Sequence, residues 1–396
     1  MEGLEYELPE EIIAWKPKSK RSDAKLLYYK SGEIKDDNFS NLSKIIGKKH
    51  HLILNETKVV NARIHFKKST GGILEVFCLE PSKGDITEQL AKTGRVEWKC
   101  LVGGAKKWKE GLIYAEADNK GEKLLLKAEK LGFFEGTFNL VFSWSIPEMS
   151  FSEILEIFGK IPLPPYIKRS AEDEDVLRYQ TVFAKNEGSV AAPTASLHFT
   201  NEVFEDLENA AVEKIKVNLH VGAGTFKPIS SSVEEHTMHH ELFDVHINEL
   251  RRISVLDNLI AVGTTAVRTV ESLFILAVQL KQKGGEDLGK PQIVDQWSWK
   301  SQPSLFTDYR EAFSFLVSKC EEGQVHRIYG YTSLMIVPGF EFSVIAGLIT
   351  NFHMPKSTLL FLVSALIGES WREVYKHALE NDYRFLSYGD SSLLIP

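Results

Sequence analysis

The stretch Leu259-Ile-Ala-Val262, followed at once by Gly263-Thr-Thr-Ala-Val-Arg268-Thr-Val-Glu271, decides the fold class. Four apolar residues without alternation read as a strand buried on both faces, as in a parallel sheet. The glycine–threonine turn then opens a helical pattern that runs to about Leu280. Gly347–Phe352 repeats the arrangement, with Pro355 suited to the first position of a helix ending near Ile367. His51–Leu54 running into Asn55-Glu56-Thr57, and Lys216–Val221 after an amphipathic Asn201–Lys214, supply two further strands. Strand–turn–helix in repetition predicts an α/β domain with a mainly parallel sheet.

Between about Ala62 and Ser150 the texture changes to short alternating segments punctuated by Gly, Asp and Asn: Ile73–Leu79, Val96–Val102, Leu112–Glu116, Lys123–Ala128 and Gly136–Phe142. That pattern predicts a small antiparallel β-barrel inserted into the α/β domain. The expected division is 1–61 with 151–396 for the α/β domain and 62–150 for the barrel. Phe151–Gly159 reads as a helix ended by a glycine, and Pro162-Leu-Pro-Pro165 as a rigid crossing. Residues 284–331, with Trp297 and Trp299, read as an insertion holding a helix over Tyr309–Glu322.

With 396 residues, two domains are expected. The longest apolar run, near Leu359–Ile367, is too short to cross a bilayer, and the acidic start MEGLEYELPEE is not a secretory signal. Cys78, Cys100 and Cys320 lack CxxC spacing, which points to a reducing, cytoplasmic setting without disulfides or a zinc knuckle. The net charge of −7 is unevenly spread: residues 1–150 carry 25 Lys/Arg against 22 Asp/Glu, and the remainder 22 against 32. The basic clusters Lys16–Arg21, Lys48–Lys49, Lys67–Lys68 and Lys106–Lys109 therefore fall where RNA could dock, although solvated lysine on strand edges is the simpler reading.

Ligands of open α/β sheets sit beyond the carboxyl ends of the strands. Three such ends are rich in small and polar residues. At Leu219-His220-Val-Gly222-Ala-Gly224-Thr-Phe226, Gly222 and Gly224 allow close backbone approach and His220 can exchange a proton. At the quoted stretch, Thr264 or Thr265 can cap a helix whose free N–H groups favour an anion, and Arg268 can clamp a carboxylate; a surface pair of Arg268 with Glu271 is the structural alternative. At Thr350-Asn351-Phe-His353-Met-Pro355, Asn351 and His353 share one side of the strand exit. The small-residue segment Val190–Phe199, with Thr194 and His198, suits a planar ligand. His236-Thr-Met-His239-His240-Glu241 carries histidines beside a carboxylate but not HExxH spacing, so no metal is expected. The terminal Tyr383-Arg384-Phe-Leu-Ser387-Tyr388-Gly-Asp390 could tie down the tail.

In order along the chain, several segments resemble the S-adenosylmethionine:tRNA ribosyltransferase-isomerases of queuosine biosynthesis. They are Tyr6-Glu-Leu-Pro9, Asn55-Glu-Thr57, Pro162-Leu-Pro-Pro-Tyr166, Tyr179-Gln-Thr-Val182, Val190-Ala-Ala-Pro-Thr194, His220–Phe226, Val262-Gly-Thr-Thr265 with Arg268, Ile349-Thr-Asn-Phe-His353 and Tyr388-Gly-Asp390. Three departures stand out: Lys58 where the family has Arg, Ser196 where it has Gly, and a longer stretch between Glu271 and Pro338. The resemblance implies transfer and isomerisation of the ribosyl unit of S-adenosylmethionine onto 7-aminomethyl-7-deazaguanine in a tRNA anticodon stem-loop. The products would be epoxyqueuosine, adenine and methionine, and the enzyme a monomer without cofactor. It implies His220 and His353 as acid/base groups titrating near working pH, and Asp390 and Glu271 as partners of the sulfonium or ribose hydroxyls. Thr194, His198, Gly222, Gly224, Thr264, Thr265, Arg268, Asn351 and Tyr388 would bind substrate, and Lys58 and Arg63 RNA phosphate. The competing readings are a same-fold enzyme with another deazapurine acceptor, a non-catalytic RNA-binding relative, and a metal-dependent hydrolase on His236, His239 and Glu241.

Overall fold

The computed structural model describes residues 4–109, 111–134, 136–222, 233–284 and 287–396. Gly224 of the predicted site lies outside them. Among the described residues, a ten-stranded mixed sheet forms one unit. Its strands run in space as Gln292–Val294, Arg327–Thr332, Glu241–His246, Lys214–Leu219, His51–Asn55, Leu259–Val262, Ile345–Asn351, Ser391–Ile395, Lys25–Lys30 and Glu33–Asn38. The four central strands, from Lys214–Leu219 to Ile345–Asn351, are parallel to one another. Antiparallel strands flank them at both sides.

The central strands are apolar because both faces are covered. Ile53, Leu259 and Ala261 enter the core under the helices Thr264–Lys283 and Thr358–Ile367. Their chain neighbours Leu52, Leu54, Ile260 and Val262 enter the opposite core with Phe199, Val203 and Leu207. Successive residues thus feed different cores, as the pleat requires. The helix Tyr309–Glu322 lies where its apolar period places it.

The predicted barrel segments form six antiparallel strands: Arg63–Lys68, Ile73–Pro81, Arg95–Gly103, Thr137–Trp144, Glu122–Phe134 and Ile113–Asn119. Pairing of Lys67 and Lys68 with Tyr114 and Ile113 closes the ring. Inside lie Phe66, Val76, Trp98, Leu126 and Phe142. The packing carries this unit past residue 150. The helix Phe151–Phe158 inserts Phe151 against Trp98, with ring centroids 4.8 Å apart, and Gly159–Lys160 pairs with Ile64–Arg63. Residues 151–160 thus pack on the barrel, and we propose Lys160 as the end of the inserted unit.

Four local expectations are corrected. Pro355 does not open its helix: the helix begins at Thr358, and the Ser357 hydroxyl accepts the Leu360 N–H at 3.2 Å. The helix from Asn201 stops at Asn209, and Lys214 already belongs to the next strand. Neither Thr264 nor Thr265 caps the long helix, because Gly263 occupies the cap position at φ 87° with no side-chain bond. Gly159 ends its helix in ordinary extended backbone, φ −85°, so left-handed geometry is not its role. The 292–294 and 327–332 segments of the tryptophan-bearing insertion add strands to one sheet edge, and the Trp299 indole N–H donates to the Met335 carbonyl at 3.0 Å. Among the described residues no helix is long and apolar enough to cross a membrane.

A Cβ at Gly159 would overlap the carbonyl oxygens of Asn61 and Leu155. Gly159→Ala is accordingly expected to destabilise the protein by about 2–3 kcal/mol, as overpacking against backbone does; a wild-type urea midpoint would refute the close approach.

Candidate active site

The carboxyl ends of the central parallel strands lie on one edge of the sheet, and their loops enclose a cavity of about 760 Å³. Its wall is built from Pro193 and Thr194, Gly263, Thr264 and Thr265 at the start of the long helix, and Asn351 and His353 at the exit of the Ile345–Asn351 strand. The predicted Thr194, Thr264, Thr265, Asn351 and His353 therefore meet. The Thr194 hydroxyl donates to Asn351 Oδ1 at 2.8 Å, and the Asn351 amide meets His198 Nε2 at 3.4 Å. That chain fixes the amide and leaves the lining dominated by small side chains. The Thr265 hydroxyl is buried and has no hydrogen-bond partner within the protein.

His353 is held from three directions. Its ring Nε2 bonds the Thr350 hydroxyl at 2.8 Å, its N–H donates to the Tyr375 hydroxyl at 3.0 Å, and its carbonyl accepts from the Tyr6 hydroxyl. Burial pushes the imidazole down to about 3, so it is neutral at working pH. The expectation of a histidine titrating near neutrality is corrected here.

A second cavity, about 660 Å³, adjoins the first; both are lined by Leu359. Gly222, His236, His239, Glu241 and Arg268 face it. Arg268 is not an open clamp. Its guanidinium donates to Glu241, to the Leu334 carbonyl at 3.0 Å and to the Thr332 carbonyl at 3.5 Å. Glu241 also accepts the Gly222 N–H at 3.0 Å. This pairing occupies the carboxylate that the hydrolase reading needs for a metal. Among the described residues no group of three His, Cys, Asp or Glu side chains is arranged to hold a metal ion.

Other predicted residues lie outside these two cavities. His220 stands behind the wall: its Nδ1 meets the Thr57 hydroxyl at 3.0 Å, and burial lowers it to about 4. A Cβ on Gly188, at φ 148°, would come within 2.7 Å of that ring nitrogen. His198, also lowered to about 4 by burial, faces a third, smaller cavity with Tyr388. The Tyr388 hydroxyl donates to Asp175 at 2.7 Å. Asp390 is fully buried and accepts the N–H groups of Lys25 and Arg384, each at 2.8 Å. Glu271 forms no surface pair with Arg268. It is buried and accepts the N–H groups of Ser343, Val344 and Ile345. Asp390 and Glu271 are thus corrected from substrate partners to internal ties. Lys58 pairs with Glu187 at 2.7 Å, and Arg63 with Glu75 at 2.6 Å while lying over the Phe77 ring.

The reading of the chain missed Tyr166, Ser357, Leu386 and Ser387, which also line the first cavity. Tyr166 follows the proline crossing quoted above, and its hydroxyl meets the Ser387 hydroxyl. Leu386 has φ 68°, a left-handed conformation no sequence pattern announced.

A family model described as "Queuosine biosynthesis protein" matches residues 1–394. The chain belongs to that family. It is 36% identical to the S-adenosylmethionine:tRNA ribosyltransferase-isomerase of Halothermothrix orenii, over 100% of this chain and 99% of that one. It is 34% identical to the proteins of the same name from Caldanaerobacter subterraneus subsp. tengcongensis, over 98% of each chain, and Natranaerobius thermophilus, over 100% and 99%. The crystal structure of S-adenosylmethionine tRNA ribosyltransferase from Thermotoga maritima is 24% identical over 99% of both chains, with a TM-score of 0.45. The enzyme is thus a transferase-isomerase of queuosine biosynthesis. Its Ser196 departure is not a backbone requirement, since Ser196 has no positive φ; its hydroxyl is buried without a hydrogen-bond partner.

Burial pushes the Glu271 carboxyl up to about 7 against the pull of three N–H donors. A folded-state value above the unfolded one makes the native state the tighter proton binder between about 4.5 and 7, so this contribution to stability falls as pH rises through that window. Glu271→Gln removes it. The unfolding free energy of the variant relative to wild type should rise by about 2–3 kcal/mol from pH 4.5 to 7.5, and parallel pH profiles would contradict the assignment.

Proposed function

We propose that the two adjoining cavities hold S-adenosylmethionine and that the enzyme moves its ribosyl unit onto the amine of 7-aminomethyl-7-deazaguanine in a tRNA anticodon stem-loop. Adenine and methionine leave, and the ribose closes to the epoxycyclopentane of epoxyqueuosine. The enzyme acts as a cytoplasmic monomer without a cofactor. The observation that carries this reading is the convergence of Thr194, Thr264, Thr265, Asn351 and His353 on one cavity at the strand ends, beside a second that holds Arg268. The full-length relatives bear the name of this activity.

The residues then divide by chemistry. The first cavity takes the nucleoside, where small side chains admit a flat base and the unpartnered Thr265 hydroxyl offers it a hydrogen bond. The helix starting at Thr264 presents free N–H groups to the ligand. The second takes the methionine arm, beside the Arg268–Glu241 pair. The sulfonium acidifies the C5′ protons, and a base must remove one. His353 is neutral and faces the nucleoside cavity, so it is assigned as a proton acceptor. The proton that adenine takes on leaving comes from outside the buried histidines, which are uncharged at neutral pH and hold only the single ring N–H of neutral imidazole.

Incubation with S-adenosylmethionine and tRNA bearing the aminomethyl base should release free adenine and methionine and give a modified nucleoside by mass. Release of S-adenosylhomocysteine would instead mean methyl transfer. His353→Ala should lower kcat by on the order of 10²-fold; full turnover in that variant removes His353 from proton transfer. In wild type, kcat/KM should lack the acid limb near pH 6.5 that an ordinary histidine base produces. Thr265→Val, which breaks no internal hydrogen bond, should weaken S-adenosylmethionine binding several-fold at wild-type thermal stability.

A further inference from the structure

The basic run Lys16–Arg21 has no place in the two cavities above. Part of it faces the third cavity, where Lys18, Arg21, Arg178 and Arg384 converge beside His198 and Ser387. Ser387 also lines the nucleoside cavity, so the two adjoin. The four cations come from three regions of the chain: the N-terminal loop, the end of the helix Asp173–Arg178 and the C-terminal segment.

Their charge is incompletely balanced. Arg21 donates only to carbonyls: Leu177 at 2.6 Å, Leu197 at 3.0 Å and Arg178 at 3.4 Å. Arg384 likewise donates to the carbonyls of Tyr388 at 3.0 Å and Lys16 at 3.1 Å. Arg178 has Glu174 at 3.1 Å, and Lys18 has Asp390 at 3.2 Å. Four cations therefore meet two carboxylates, and Asp390 is already shared with two N–H groups. The Nε–H groups of Arg178 and Arg384 are buried with no partner. Burial, and for Arg21 the neighbouring Arg178 charge, holds both the Arg21 and Arg384 guanidiniums below their ordinary range. Half-buried cations with incomplete counter-charge are costly, and an anion would offset that cost.

We propose that this cavity binds a backbone phosphate of the tRNA, next to the nucleotide whose base receives the ribosyl unit. The inference rests on the tRNA reading above. Guanidinium forks suit phosphate oxygens. The phosphate of an acceptor nucleotide must lie close to its base, and this cavity borders the one assigned to the transferred group. The methionine arm is assigned to the second cavity, reached past Leu359, which leaves the third for another anion.

The test measures binding of a tRNA transcript across a salt series, and of S-adenosylmethionine by calorimetry, for wild type, Lys18→Gln and Arg384→Gln. Lys18 is partly exposed, with 28% of its side chain accessible, and Asp390 keeps its two main-chain N–H donors without it, so Lys18→Gln is the milder of the two variants. Lys18→Gln should weaken tRNA binding several-fold near 0.1 M salt and flatten the log–log salt dependence by about 0.7–0.9, with S-adenosylmethionine affinity unchanged. Wild-type tRNA affinity and salt slope in Lys18→Gln overturn the proposal. So does a loss confined to S-adenosylmethionine, which would make the anion a carboxylate. Thermal stabilisation by inorganic phosphate that Lys18→Gln abolishes while tRNA binding stays unchanged would assign the cavity to free phosphate and also overturn it. Failure of the wild-type enzyme to bind tRNA at all would instead bring down the underlying functional reading.

Discussion

Parallel pairing of the four central strands is the constraint on which the rest of the molecule depends. Parallel strands need crossovers, and crossovers put the helices on both faces. They also put every carboxyl end on one edge of the sheet. The loops after Asn55, Leu219, Val262 and Asn351 have no choice but to neighbour one another. Residues about 300 positions apart, such as Thr57 at one end and His353 at the other, come to one edge for this reason alone. A cavity there needs only small side chains at the turn positions, which Ala191, Ala192, Gly263 and Thr264 supply.

Burial then decides what chemistry those loops can offer. A histidine near a strand end is read from sequence as a titrating group, because its ordinary range spans neutrality. Here the same packing that places His198, His220 and His353 also strips them of solvent, and all three are held neutral. Glu271 shows the complementary effect. Its helix carries it into the core rather than to the surface, and its carboxylate is used to fasten the start of the Ile345–Asn351 strand through three main-chain N–H groups. Position along the chain brought Thr194, Thr264, Thr265, Asn351 and His353 to one cavity; depth determined the protonation of the histidines.

What could be read from the chain follows the same division. The Leu259–Val262 strand and the Tyr309–Glu322 helix have the expected bounds because a continuous apolar run and a clear 3.6-residue period leave one solution each. The barrel strands were legible from alternation; the packing of the helix at Phe151 on the barrel was not, since periodicity does not say which core a face enters. The strands Glu241–His246 and Arg327–Thr332 lack a clean apolar alternation because buried positions hold Glu241 in the first and Gly330 and Thr332 in the second. Ser357 displaced Pro355 as the helix start because a side-chain cap satisfies an N–H, whereas proline merely lacks one. Tyr166 and Ser387 could not be found from spacing, because they reach the cavity only through long-range packing.

The arginine cluster carries this reasoning furthest. Arg21, Arg178 and Arg384 each look, in one dimension, like surface charge near acidic neighbours. Folding turns two of them toward main-chain carbonyls, and those carbonyls supply dipoles but no net negative charge. Carbonyls orient a guanidinium without neutralising it, so the fold fixes the forks and leaves charge unspent. Had the cluster served only to tie the termini to the sheet, neutral donors would satisfy the same carbonyls without the cost of burying cations. Four cations that meet only two carboxylates, beside the cavity at the strand ends, are organised for an anion that arrives from outside the protein.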